Sequence, residues 1–130
     1  MKILDFADFE KVLEGVQKPG RYIGSEFGVK SKNISDVLSL NTKALFALAF
    51  PDVYEVGMSN LGIQILYEII NNHRDCSAER VFSPWIDLEA NLRTNKIKLF
   101  SLENRIFIDE FDIIGFSLQH EMQYTNVLNM

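Results

Sequence analysis

The chain is predicted to fold as an α/β domain, an open, Rossmann-like parallel sheet with flanking helices. Three observations carry the prediction. From Lys43 onward, apolar runs of strand length alternate with segments of helical periodicity, which is the pattern of βαβ units. The run Ala44-Leu45-Phe46-Ala47-Leu48-Ala49-Phe50 is apolar throughout, as expected of a strand covered on both faces. The length of 130 residues, 47% of them hydrophobic and 24% charged, suits one domain. A domain of this size buries roughly two-thirds of its unfolded surface.

Residues 1–42 read as an N-terminal helix and irregular arm, and residues 43–130 as a partial Rossmann-like domain. In the arm, Phe9, Val12, Leu13 and Val16 recur at helical spacing after Asp5, and Gly15 breaks the pattern. Lys18-Pro19-Gly20 and Gly24 mark an irregular stretch anchored by Tyr22, Ile23 and Phe27. Asn33 to Thr42 is polar and turn-like, with a short apolar element at Val37-Leu38.

The first strand, Ala44 to Phe50, ends at Pro51, which separates it from a helix of similar composition. A loop through Gly57 leads to a helix whose expected buried face is Leu61, Gly62, Ile65, Leu66, Ile69 and Ile70, with Ser59 as N-cap. Glu79 to Phe82 is a short second strand. Ser83-Pro84 predicts a helix start, Ser as cap and Pro at the first position, with Trp85, Leu88 and Leu92 as the core stripe. Ile97 to Phe100 is a weaker third strand, Phe111 to Leu118 a fourth, and a terminal helix follows it. An open sheet of this class commonly has about five or six strands. The count of four, and a last helix with no stop signal, lead us to expect a C-terminally truncated domain.

Thirteen Lys+Arg against eighteen Asp+Glu give a net charge of −5, so nucleic acid is not expected from charge. No apolar run reaches membrane-spanning length, and the first residues lack a signal peptide's pattern. The single cysteine, Cys76, suits a reducing compartment, and the expected location is cytoplasmic. One thiol and two histidines, His73 and His120, do not make a closed metal site.

In open parallel sheets, ligands bind outside the carboxyl ends of the strands. Three segments occupy that rim: Pro51 to Asn60, Phe82 to Trp85, and Leu118 to Glu121. From them we select Tyr54, Gly57, Ser59, Asn60, Ser83 and Gln119 as binding groups. No phosphate-loop glycine pattern is present, and Asp52 with Glu55 reads as an acidic loop. No nucleophile, base and orienting group assemble, so no catalytic residue is assigned.

Four segments together are more specific: Lys18-Pro19-Gly20-Arg21-Tyr22-Ile23-Gly24, Phe50 through Gly62, Ala78 through Trp85, and Gly115 through Met130. They resemble, in the same order, the N-terminal region of a family of uncharacterised bacterial radical SAM proteins. The resemblance implies a cobalamin-binding-type Rossmann domain preceding a radical SAM barrel. It further implies that the four-iron cluster and S-adenosylmethionine belong to that downstream domain, which is this chain's implied partner. The chain itself would be an accessory domain that holds a corrinoid or positions substrate. The alternative is a cofactor-free module contacting protein or RNA. Of the cobalamin motif D-x-H-x-x-G, Asp52 is present, but Tyr54 stands where the histidine belongs. An unfinished sheet leaves an open edge, so self-association of the chain is expected.

Overall fold

The structure, a computed structural model, describes residues 1–27, 29, 32–38 and 42–130. Among these, a three-stranded parallel sheet has the order β2-β1-β3, with β1 at Ala44–Phe50, β2 at Cys76–Phe82 and β3 at Ile113–Phe116. The α/β class and the open parallel sheet are as the sequence predicts. β1 lies in the centre. It pairs along its whole length with β2, Ala44 opposite Cys76 through Phe50 opposite Phe82, and on its other side Phe46 to Ala49 pair with Ile113 to Phe116. Leu45, Ala47 and Ala49 enter one core layer, and Leu48 and Phe50 the other, as the period of two requires.

Six helices surround the sheet among the described residues. Helix α1, Phe6–Leu13, is capped by the Asp5 carboxylate, which accepts from the Asp8 amide at 2.8 Å. Its Phe9 and Val12 pack in one cluster with Leu88 and Leu92 of α5, Ile86–Asn95. Helix α2, Ile34–Leu38, lies where a turn was expected. Residues 39–41 of that segment fall outside the described residues, as do 28, 30 and 31. Helix α3, Tyr54–Met58, occupies part of the expected loop, and α4, Leu61–Asn72, follows it. The terminal segment forms a 3-10 turn at Glu121–Gln123 and then α6, Tyr124–Asn129.

Several expectations need correction. The expected strand at 97–100 is irregular, with one antiparallel bridge from Phe100 to Phe107, so the sheet has three strands rather than four. β2 begins at Cys76, three residues early, because buried Ser77, Glu79 and Arg80 disguise it as polar. Cys76 therefore opens the strand. Helix α5 begins at Ile86, with Trp85 as N-cap, since Ser83 continues the strand's pairing and donates its amide to Phe50 O and Asp52 O. Trp85 is thereby displaced from the stripe of Leu88 and Leu92 and left 42% exposed.

Helix α4 is placed correctly but turned differently. Its buried face is Ile63 and Tyr67, with Ile70 packed against the same cluster. Leu61, Ile65, Leu66 and Ile69 are exposed by 48–71%. Asn60, not Ser59, is the N-cap, accepting from the Ile63 amide at 3.0 Å. In the arm, Tyr22 is buried as expected, whereas Ile23 and Phe27 are exposed.

Gly24 fixes the path of the arm. Its φ is +68°, and a Cβ there would stand under 3.0 Å from the Leu102 carbonyl oxygen, which is backbone and cannot swing away. Gly15, also at positive φ, faces open space. Gly15→Ala is expected to destabilise by about 1 kcal/mol through the left-handed backbone alone. Gly24→Ala, with the clash added, should exceed about 2 kcal/mol. Parallel urea titrations of the two variants check the difference.

Candidate functional site

Because all three strands run in the same direction, the segments after β1, β2 and β3 meet at one edge. Hydrogen bonds tie them together. The Ser83 amide reaches back to the carbonyls of Phe50 at 3.3 Å and Asp52 at 3.0 Å. The Ser117 amide donates to Ala49 O, and the Asn126 side-chain amide donates to Pro51 O at 2.9 Å. The rim expected from alternation therefore exists as a connected structure.

The six selected residues differ in what they offer there. Tyr54 is turned inward: its hydroxyl donates to Glu26 at 2.7 Å and its ring meets Phe82 edge-on. Burial and the neighbouring Glu26 carboxylate push its pKa up to about 12. Gly57 is buried, and a Cβ there would collide with the Phe82 ring, so the glycine serves the approach of α3 to β2. The Ser59 hydroxyl donates to Glu55 O at 2.7 Å, and the Asn60 side chain caps α4. Ser83 is 9% exposed between the two loops. Gln119 has an exposed side chain, and its amide donates to Gln123 Oε1 at 2.9 Å.

The arm reaches the same edge. Arg21 holds Glu55 with Nε and a terminal nitrogen, each at 2.8 Å, and stands 5.4 Å over the Trp85 ring. The Tyr22 hydroxyl accepts from the Trp85 amide at 3.1 Å. Residues 18–27 thus form a strap across the β1–β2 side of the rim.

Beneath the strap lies a cluster that sequence reasoning missed. Glu79 and Arg80, adjacent in β2, are 0% and 2% exposed. Neighbours on a strand face opposite sides of the sheet, so burial of both means that both faces are covered. Glu103 grips Arg80 through Nε at 2.6 Å and through the backbone amide at 2.8 Å. The guanidinium also meets Glu26 at 3.4 Å and Met58 Sδ at 3.0 Å, and lies 4.7 Å from the Tyr67 ring centroid. On the other face Glu79 accepts from Ser101 and from the Asn104 backbone and side chain. Burial pushes Glu103 up to about 7; Arg80 opposes this and the Glu79 charge adds to it. Burial likewise raises Glu79 against its hydrogen bonds. The signal available in the sequence was an opposite-charge pair flanked by Ala78 and Val81 inside a strand-length run.

The fold and rim define an open α/β domain whose strand carboxyl edge is built from three loops and crossed by a strap. The chain belongs to the radical SAM proteins: the family model described as "Radical SAM proteins, N-terminal" matches residues 62–130, just over half of its length. No curated protein and no solved structure matches it. The residues do not fit a corrinoid held by a protein axial ligand, because the position of the motif histidine carries Tyr54, whose hydroxyl is committed to Glu26. Nor do they fit an iron–sulfur cluster, which needs several thiolates, while the chain has one cysteine. Among the described residues no three His, Cys, Asp or Glu side chains gather as metal ligands, and no helix is long and apolar enough to cross a membrane.

Proposed function

We propose that this chain is an accessory domain that positions substrate for the radical SAM portion of its protein and is not itself catalytic. The observation that supports this reading is the connected three-loop rim within a chain of that family. Ser59, Asn60, Ser83 and Gln119 supply neutral hydrogen-bonding groups, Gly57 permits the close packing below them, and Tyr54 contributes its hydroxyl when Glu26 releases it. Residues 1–42 act as the N-terminal arm, of which 18–27 cross the rim, and residues 43–130 form the sheet domain. The iron–sulfur cluster and S-adenosylmethionine belong to the downstream radical SAM portion.

Two further readings have specific support. The spacing Asp52-x-Tyr54-x-x-Gly57 favours a corrinoid bound without a protein axial ligand. The exposed apolar stripe of α4 favours a cofactor-free module contacting protein. Absorption spectra of the radical SAM protein carrying this domain, purified without oxygen and then given hydroxocobalamin, separate the corrinoid reading from the other two. Iron–sulfur bands without retained corrinoid support a domain that positions substrate or contacts a partner. Retained corrinoid bands transfer the rim to the cofactor. Absence of both from folded protein counts against the radical SAM reading itself.

The open edge of β3 and the α4 stripe also support self-association of the 130-residue chain. Light scattering should show mass rising with concentration. Leu66→Lys, on the stripe and 50% exposed in the native chain, should shift the midpoint of that rise upward about tenfold. A monomeric native chain at high concentration would end this reading.

A further inference from the structure

Alongside Arg80 runs a cleft of about 170 Å³, bordered by Glu26, Phe27, Met58, Gln64 and Tyr67. Val29 and Glu68, the latter with an interaction of its own, complete its wall. Glu26 enters it from the strap and places one carboxylate oxygen on the Tyr54 hydroxyl at 2.7 Å and the other toward Arg80 at 3.4 Å. The two contacts are unequal, and Arg80 does not depend on the weaker one. Glu103 accepts from Arg80 Nε at 2.6 Å and from the Arg80 backbone amide at 2.8 Å, so the guanidinium keeps its Nε partner if Glu26 leaves. Among the described residues its Nη1 meets a thioether, Met58 Sδ, at 3.0 Å, and a thioether is a weak acceptor. Arg80 is 2% exposed, so any acceptor reaching it acts where water competes little.

We propose that Arg80 and Tyr54 form a binding subsite for the carboxylate of a small acid with an apolar body, and that Glu26 occupies this subsite as an internal stand-in. A guanidinium and a hydroxyl aimed at two oxygens of one carboxylate are the donors such a ligand requires. Met58 and the Tyr67 ring supply the apolar walls. The strap then acts as an intrachain competitor: ligand carboxylate enters as Glu26 withdraws, and Tyr54 exchanges one carboxylate for another. This inference rests on the cleft and its hydrogen bonds, independently of the radical SAM reading.

The test is a titration of native chain and Glu26→Ala with sodium butanoate, followed by the NMR signals of Met58 and Arg80. Sodium chloride and 1-butanol are the controls. Glu26→Ala should show saturable shifts at about tenfold lower butanoate than the native chain, and neither control should reproduce them. Adding Tyr54→Phe should raise the half-saturating concentration several-fold. Equal response of native chain and variant, equal action of butanol, or no response from folded Glu26→Ala would overturn the proposal. If Glu26→Ala does not fold, Glu26→Gln keeps the shape, removes the charge, and is read against the same three outcomes.

Discussion

Arg80→Ala is expected to destabilise the chain by about 3–5 kcal/mol, enough to consume a large part of a small domain's stability. The magnitude follows from what is left behind. Glu103, whose side chain is 0% exposed, would lose both the guanidinium at 2.6 Å and the geometry that presents the Arg80 amide. Glu26 and the Met58 sulfur would lose a partner as well, and the face of Tyr67 its cation. Above about pH 7, where Glu103 carries its charge, the two form a buried ion pair, and such a pair can be replaced as a unit because desolvating two charges offsets most of their attraction. Arg80→Met combined with Glu103→Leu should therefore recover most of the loss. Chemical denaturation of the two single variants and the double variant measures the coupling, and a double variant as unstable as Arg80→Ala would refute this account of the cluster.

Stability should also rise as the pH is lowered from 8 towards 5. Glu103 holds its proton in the folded chain up to about pH 7, because burial disfavours its charge, whereas in the unfolded chain a glutamate releases it near 4.3. Between those values the folded state binds the extra proton. The stabilisation is complete below the unfolded value and is lost as pH rises through the folded one. The difference amounts to about 3 kcal/mol across the window. Glu79, raised in the same direction by burial, adds to it. Asp75, Glu89 and Asp109, held low chiefly by hydrogen bonds from Lys43, Arg93 and Lys98, act oppositely, but only at pH values near or below the ordinary carboxylate range. Urea midpoints at pH 5.5, 7 and 8.5 test the slope, and Glu103→Gln should flatten it. A native chain whose midpoint climbs with pH across this interval would contradict the buried-proton picture.

How far the sequence revealed this structure depended on which signal each element carried. β1 was legible because seven consecutive apolar residues ending at Pro51 leave little alternative. β2 was legible only in its last four residues, since Ser77, Glu79 and Arg80 are buried through partners supplied by distant segments, Ser101 to Asn104 and the strap. The start and length of α4 were readable, but its rotation was not. Two apolar faces competed, and the one with more aliphatic residues lost to Ile63 and Tyr67, because Tyr67 lies against Arg80. The rim's position followed from the parallel order of the strands. Its occupancy by Arg21, Tyr22 and Glu26 could not be anticipated, since those contacts join residues 28–63 positions apart.

The central place of β1 has a bearing on how the chain is made. It is the first strand to leave the ribosome, yet its partners begin 32 positions later at Cys76 and, from Phe46, 67 positions later at Ile113. Every ladder in the sheet is therefore non-local, which slows folding relative to helical proteins of equal size. During synthesis the Ala44–Phe50 run emerges uncharged and without proline, the composition that favours intermolecular β-stacking. It is shielded on one side when Phe82 has emerged and on the other only after Phe116. Until then the nascent chain depends on chaperones or on rapid collapse of α4 against it to stay soluble.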